Sequence, residues 1–309
     1  MIENNTIKEV EVTIGLPTYN GDKYIKKAID NVLSQTYTNF KLIISDNGST
    51  DSTSTICKEY EKKDKRIIYI RHKENKGWDF NFPFVLSKAK SNYFIWLADD
   101  DYWEATFLEK NVSILNSNKN VVGSIGLVEF YGMENFDVKE NLVFKIKNIV
   151  KRGSNDDYKK YKHVRPAFGN YEKKAEMYLR FDQASFVYGL FRTEKIKKRM
   201  IKMGYGWDGI FMLNILKEGD LHVIDEILLY RFVSGAHGGT GYLNGYNKKI
   251  VSLRELILPS SNVSYWCFKN IGIKFFLRNL DWFTLSLAYC WYSIIKEIMI
   301  RSLLSLLNS

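Results

Sequence analysis

Along the first hundred residues, short apolar runs alternate with segments whose apolar residues recur every three or four positions. Val10 to Leu16 reads as a strand. Lys23 to Gln35 carries Ile25, Ala28, Ile29, Val32 and Leu33 on one face, which predicts an amphipathic helix. Phe40 to Ser45 and Ser52 to Lys63 repeat the pair, with Thr50 or Asp51 placed to cap the helix. Arg66 to Arg71 is a third strand. Trp78 to Lys90 has helical character, although Pro83 must sit in its first turns or break it. Asn92 to Leu97 is a fourth strand, followed by a helix from about Glu104 to Leu115. Strand and helix taking turns predicts an α/β fold with a mainly parallel sheet flanked by helices.

Val121 to Tyr131 is a further strand, but Gly132 to Asn170 is polar and weakly periodic. Such a stretch predicts a long insertion of the kind that covers an active site. Periodicity returns with Glu172 to Phe181 (helix), Ala184 to Arg192 (strand), Thr193 to Lys202 and Trp207 to Leu216 (helices), and Leu221 to Tyr230 (strand). From about Ser264 the character changes. Aromatic and aliphatic residues dominate, interrupted by Lys269, Lys274, Arg278, Lys296 and Arg301. The longest charge-free run, Trp282 to Ile295, falls short of the ~20 residues that span a bilayer. Aromatics beside lysine and arginine predict helices lying in a headgroup layer; packing onto the main domain or a dimer interface is the other reading.

Composition narrows the partners. The 309 residues are 45% hydrophobic and 26% charged, an ordinary globular balance, and 4 prolines and 20 glycines argue against low-complexity stretches. A net charge of +10 calls for an anionic membrane surface, a phosphorylated substrate or nucleic acid. Charges of both signs interleave, as in Lys58-Glu59-Tyr60-Glu61-Lys62, which describes a solvated helix face and argues against nucleic acid. The 3 cysteines, Cys57, Cys267 and Cys290, are far apart, which excludes a cysteine-rich metal site. The polar opening Met1-Ile2-Glu3-Asn4-Asn5 has no secretory pattern and predicts a cytoplasmic location.

Ligands of an open parallel sheet bind at the carboxyl ends of its strands. There the sequence places Pro17-Thr18-Tyr19-Asn20-Gly21, then Asp46-Asn47-Gly48, then Asn75-Lys76-Gly77, then Asp99-Asp100-Asp101. Turn chemistry accounts for Asn47-Gly48 and helix capping for Asp51. Three consecutive carboxylates after the apolar Tyr93-Phe94-Ile95-Trp96-Leu97 repel one another, and a divalent cation would relieve them. Oxygen ligands without nearby His or Cys favour magnesium or manganese over zinc. The first turn lacks G-x-G-x-x-G, and no P-loop occurs, which points away from dinucleotide-dependent hydride transfer and P-loop phosphoryl transfer. A nucleotidyltransferase would carry a glycine- and arginine-rich loop after the first strand, and none is present.

Ile14-Gly15-Leu16-Pro17-Thr18-Tyr19-Asn20, Gln35-Thr36-Tyr37, Ile43-Ile44-Ser45-Asp46-Asn47-Gly48-Ser49-Thr50-Asp51 and Leu97-Ala98-Asp99-Asp100-Asp101-Tyr102-Trp103 together resemble the inverting family 2 glycosyltransferases of GT-A fold. The resemblance covers roughly residues 10 to 232. It implies a GT-A domain over 1–232, with a donor-binding half at about 10–131 and an acceptor half at about 171–232, and a helical appendage over 233–309. It also implies a nucleotide-sugar donor, UDP-linked by preference, and a lipid-linked glycan or polysaccharide acceptor at the inner face of the cell membrane. Pro17, Thr18, Tyr19 and Asn20 would flank the nucleobase, Asp46 would bond its ring, and Lys76 and Gly77 would join the donor site. Asp99, Asp100 and Asp101 match the D-x-D motif that holds ribose and metal-bound diphosphate, with Ala98 standing where many relatives carry Asp; either Asp99 and Asp101 form the pair, or Asp100, the favoured reading, is the main ligand of Mn2+ or Mg2+ with help from the other two. Asp208, after Gly204-Tyr205-Gly206-Trp207, matches the general base, with Trp207 replacing a frequent Glu. Tyr230-Arg231 and His237 resemble a segment that closes over the diphosphate. A non-catalytic relative that binds sugar nucleotide or scaffolds a membrane assembly is the alternative.

Overall fold

The computed structural model describes residues 11–132, 164–180, 184–201, 203, 207–232 and 261–307. The predicted alternation is present as β1 (Val12–Thr18), α1 (Ile25–Leu33), β2 (Phe40–Asp46), α2 (Thr53–Lys63), β3 (Ile67–Arg71), α3 (Trp78–Lys88) and β4 (Tyr93–Trp96). There follow β5 (Tyr102–Trp103), α4 (Phe107–Ser117) and β6 (Val121–Tyr131). The second half contains α5 (Tyr171–Arg180), a 3-10 turn (Ala184–Tyr188), β7 (Leu190–Arg192), α6 (Thr193–Arg199), α7 (Trp207–Ile215) and β8 (Asp220–Phe232). The C-terminal helices are α8 (Ser261–Asn270), α9 (Ile273–Arg278) and α10 (Leu280–Leu307).

The strands form one sheet in the order β3-β2-β1-β4-β7-β6-β8-β5. β1 runs parallel to β2 and β4, β2 to β3, and β6 to β8. β7 runs against β4 and β6, and β5 against β8. Every residue of β1 is buried, because helices cover both faces of the central strands. α1 buries Ile25, Ala28, Ile29 and Val32, the stripe its spacing predicts.

α3 runs unbroken with Pro83 in its second turn, one of the two outcomes the sequence allows, at the cost of one backbone hydrogen bond there. Two other details differ from the sequence reading. The expected strand from Ala184 to Arg192 is a 3-10 turn over its first five residues, closed by a bond from the Gly189 N–H to the Phe186 carbonyl, and only Leu190–Arg192 is strand. Phe186 and Val187 are buried in that turn, so an apolar run signalled burial and not extension. The two-residue β5 has no periodicity to announce it. Tyr102 is held by stacking on Tyr230 of β8, ring centroids 4.6 Å apart.

Of the expected insertion from Gly132 to Asn170, residues 133–163 lie outside the described residues. Ala167 exchanges backbone hydrogen bonds of 2.8 and 3.0 Å with Leu221 at the start of β8. The C-terminal helices share the main core through Cys267, Phe275 and Phe283. Arg180 at the end of α5 fixes them, donating to Asn279 Oδ1 at 2.9 Å and to Asp281 Oδ2 at 3.1 Å. The three cysteines are buried free thiols.

Candidate active site

The chain leaves β1 toward β2 on one side, and β4 lies on the other. The carboxyl ends of β1 and β4 therefore flank a topological switch point, where an open sheet parts to form a crevice. One hydrogen bond spans it: Thr18 Oγ1 donates to Asp99 Oδ2 at 2.5 Å, both residues buried. Gly21 makes room for that bond. A Cβ there would stand 2.4 Å from Asp99 Oδ2 and 2.5 Å from Thr18 Oγ1.

The loops after β1 and β2 are stitched together across the mouth of this crevice. Asn20 takes a positive φ of 52°, which asparagine tolerates better than most residues. Its N–H donates to Ser49 Oγ at 2.9 Å, and its Oδ1 accepts from the Thr50 N–H at 2.8 Å. The Gly21 N–H donates to Thr53 Oγ1 at 2.9 Å. Pro17 is buried below, and Tyr19 is half-buried at the rim.

Asp46, at the end of β2, is fully buried. Its Oδ1 accepts from the Ser49 N–H at 2.8 Å and its Oδ2 from the Tyr69 hydroxyl at 2.6 Å, with Arg71 Nε 3.5 Å from Oδ2. Burial and the neighbouring Asp46 carboxylate both raise the pKa of Tyr69, so its hydroxyl keeps its proton and donates. The parallel register that sets Arg71 beside Asp46 builds this arrangement. Below it, buried Asn81 of α3 accepts from Ser45 Oγ at 2.5 Å and donates to the Ser45 carbonyl at 2.9 Å.

Lys76 and Gly77 lie on the same side of the crevice. Asn47 Oδ1 accepts from the Lys76 N–H at 3.1 Å, and Asn47 Nδ2 donates to the Gly77 carbonyl at 3.0 Å. Gly77 has φ of 91° and starts α3, a conformation that a side chain would strain. The Lys76 ammonium is exposed, 4.9 Å from the Phe80 ring centroid.

Beyond β4 the three consecutive carboxylates diverge. Asp99 turns back to Thr18. Asp101 is buried, with Oδ2 3.2 Å from Arg231 Nε, while its Oδ1 accepts from the Phe232 N–H at 3.1 Å. Burial lifts the Asp101 carboxyl to about 6, against the downward pull of Arg231. Asp100 lies between them, half-buried, its backbone carbonyl bonded by the Tyr131 hydroxyl. Among the described residues, no three His, Cys, Asp or Glu side chains converge as a metal cage. The reason is topological: alternate residues of the turn are committed to opposite sides, one to β1 and one to β8.

Arg231 ties the acid turn to the second half of the chain. It donates to Ser185 Oγ at 3.2 Å, and its guanidinium lies 4.2 Å from the Tyr188 ring centroid. Burial raises the pKa of the Tyr188 phenol, Arg231 lowers it, and Asp101, Asp100 and Asp208 raise it further. The Tyr188 ring thus stands beside the guanidinium that pairs with Asp101. Asp208 stands in the first turn of α7, half-buried, its Oδ1 accepting from the Gly209 N–H at 2.9 Å. Trp207 anchors that turn against Trp96, Phe211 and the exposed Trp78, with ring centroids 6.4, 6.1 and 6.3 Å away.

The carboxyl ends of the parallel strands therefore gather Pro17, Thr18, Tyr19, Asn20, Asp46, Lys76, Gly77 and Asp99, the turn through Asp100 and Asp101 leads to Arg231, and Asp208 opens α7. His237 lies outside the described residues. Sequence reasoning missed Tyr69, Arg71 and Asn81 around Asp46, and Ser185 beside Arg231; it singled out Tyr188 to Arg192 as resembling the family, but not the pairing of Tyr188 with Arg231. Aligning β2 with β3 in parallel would have exposed Arg71, which pairs with Asp46.

The signature of glycosyl transferase family 2 matches residues 13–193, more than half of the chain. The chain belongs to glycosyl transferase family 2. An uncharacterized glycosyltransferase of Rickettsia typhi is 36% identical over 138 residues, 44% of this chain and 40% of the relative. A putative teichuronic acid biosynthesis glycosyltransferase of Bacillus subtilis, TuaG, is 35% identical over 104 residues, 34% of this chain and 41% of the relative. These matches span less than half of either relative's length. Among solved structures, S. aureus TarS in complex with UDP-GlcNAc superposes with a TM-score of 0.60 at 16% identity, covering 84% of this chain and 66% of TarS. The mannosyltransferase PcManGT of Pyrobaculum calidifontis, in complex with GDP-Man and Mn2+, gives a TM-score of 0.56 at 14% identity, covering 94% of this chain and 75% of that one. The sheet and its flanking helices are accordingly the GT-A fold of this family.

Proposed function

We propose that this family 2 chain is an inverting glycosyltransferase that moves a hexosyl or N-acetylhexosaminyl group from a nucleotide-diphosphate donor, UDP-linked by preference, to a hydroxyl of a lipid-linked glycan or polysaccharide, working peripherally at the inner face of the cell membrane. The observation that carries the reading is the chain of contacts from the Thr18–Asp99 bond that spans the crevice between β1 and β4, through the acid turn, to Arg231 on Asp101 and over Tyr188. The solved relatives bound to UDP-GlcNAc and GDP-Man support a nucleotide-sugar donor.

In this reading the nucleoside sits over Thr18 to Asn20 with Asp46 and Lys76 beside it, and the diphosphate points toward Asp100 and Arg231. Asp208 accepts the proton of the acceptor hydroxyl as that oxygen attacks C1 of the donor sugar. The C1–O bond to the diphosphate breaks on the opposite face, its electron pair passing to the phosphate oxygen, so the anomeric configuration inverts. Arg231, held over Tyr188, offsets charge that builds on the leaving diphosphate.

A divalent cation fits here as a site completed by substrate. Asp100 stands half-buried between Asp99 and Asp101 at the end of the crevice, and magnesium or manganese commonly takes one or two carboxylates plus phosphate oxygens. Bound there, Mn2+ or Mg2+ would neutralise the diphosphate. The test is calorimetry with a panel of UDP-, GDP- and TDP-sugars, in manganese and then in EDTA. Metal-dependent binding of one donor supports the reading and names the donor. Absence of binding to every donor by folded protein in manganese would make the non-catalytic alternative the better one.

A further inference from the structure

The C-terminal helices present a long apolar face with no covering element among the described residues. On α10 the exposed positions Leu280, Thr284, Ala288, Trp291, Ile295 and Met299 follow one another by four, four, three, four and four residues, a single helical stripe. Ile295 is 51% and Met299 60% exposed. The opposite side of the same helix buries Phe283, Cys290 and Ile294. Phe268 of α8 and Leu277 of α9 extend the exposed surface toward the start of α10, at 45% and 58% exposure. Large apolar groups gathered on one face mark an interaction surface.

The face is rigidly aimed. Arg180 reaches the connection between α9 and α10 through Asn279, which is fully buried, and through Asp281. At the other end, Val263 of α8 lies against Gly209, the residue after Asp208. The apolar face and the candidate base thus belong to one continuous packing unit.

We infer that this stripe is a docking surface for an anionic lipid bilayer, on which α8, α9 and α10 lie within the headgroup layer. The inference rests on the glycosyltransferase reading only in giving the surface a purpose. Its physical support is independent. Residues 261–309 carry Lys269, Lys274, Arg278, Lys296 and Arg301 against Asp281 and Glu297, within a chain of net charge +10. Arg278 pairs with Glu172 and Glu176, while Lys269 and Lys274 are exposed beside Phe268 and Ile273, and a basic border on an apolar surface complements anionic headgroups. In a symmetric contact with a second copy the same border would face itself and repel. Trp291 and Tyr292 are exposed at 37% and 46%, and their amphipathic rings suit the headgroup level. No helix among the described residues is long and apolar enough to cross a membrane, so this binding is parallel to the surface.

The experiment is flotation of the full chain with vesicles of phosphatidylcholine alone, and of phosphatidylcholine mixed equally with phosphatidylglycerol. Wild type should float with the anionic vesicles and only weakly with the neutral ones. Ile295→Ser combined with Met299→Ser should lower the partition coefficient at least ~10-fold, with the melting temperature unchanged because both side chains are already in water. Asp208→Asn should float like wild type. If wild type stays in the soluble fraction, and light scattering shows a dimer that the double variant dissociates, the surface is a self-association face and the bilayer inference fails. A monomer that ignores both vesicle types also overturns it. Flotation without donor binding would leave the surface standing and remove the catalytic reading, so the two fail separately.

Discussion

Gly21→Ala probes the crevice with one carbon atom. Its Cβ would fall 2.4 Å from Asp99 Oδ2 and 2.5 Å from Thr18 Oγ1, far inside van der Waals contact. Both side chains are buried and bonded to each other at 2.5 Å, so neither can retreat without parting from its partner. Overpacking of a tight interior costs about 1–3 kcal/mol, and loss of a hydrogen bond to a charged group about 1.5–3 kcal/mol. The two overlap, because relieving the clash is what ruptures the bond, and about 2–3 kcal/mol is expected in total. Urea unfolding measures it as a fall in midpoint at constant slope. Donor binding should weaken in parallel, since the strand ends that flank the nucleoside part. The decisive comparison is a double-mutant cycle with Thr18→Ala. Removing the hydroxyl vacates space into which Asp99 can swing, so Gly21→Ala should cost at least about 1 kcal/mol less in that background. Strict additivity, or a single substitution within about 0.5 kcal/mol of wild type, would refute the claim that Gly21 exists to admit this bond.

Other tests address the remaining parts of the site. Asp208→Asn should retain metal-dependent donor binding by calorimetry while losing transfer by at least ~100-fold; transfer at the wild-type rate would mean that another group is the base. Asp100→Ala should abolish the manganese dependence of donor binding, and identical affinities in manganese and EDTA are the expected reading. Tyr69→Phe leaves Asp46 Oδ2 without its hydroxyl donor, and should cost about 1–3 kcal/mol by urea unfolding. Glu218 gives a pH signature away from the site. Burial pushes its pKa up, but hydrogen bonds from Lys198 and Arg199 outweigh burial and hold it at about 2, below the ordinary 4.5. A depressed folded-state pKa contributes stability above 4.5 that disappears as pH falls toward 2. Glu218→Gln should therefore lose on the order of 1–2 kcal/mol at neutral pH after solvent screening, and the gap from wild type should close between pH 4.5 and 2.

Much of the fold was legible because the donor half is built from whole periods. Val12 to Thr18, apolar at Val12, Ile14 and Leu16, is buried throughout as β1, and the i, i+3, i+4 stripe of α1 was buried as written. The second half was harder. The turn at Ala184–Tyr188 and the two residues of β5 owe their shapes to partners distant in sequence, Tyr102 to Tyr230 and Phe186 to the core. The site followed the same division. Residue types at strand ends announced Thr18, Asp46 and the acid turn, but not the directions of their side chains. Three neighbouring carboxylates suggested convergence. Their partners Thr18 and Arg231, each far along the chain, drew the outer two apart. Tyr188 stood out in its run with Gly189 to Arg192, but its partner, the Arg231 guanidinium 4.2 Å from its ring centroid, lies too far along the chain to be read from it.

The pairing of Tyr131 with Phe232 at the ends of β6 and β8 has an evolutionary consequence. Both strand ends grip the acid turn, Tyr131 through the Asp100 carbonyl and Phe232 through the Asp101 carboxylate. A lineage that keeps these two contacts keeps the shape of the turn, whatever side chains change elsewhere on either strand.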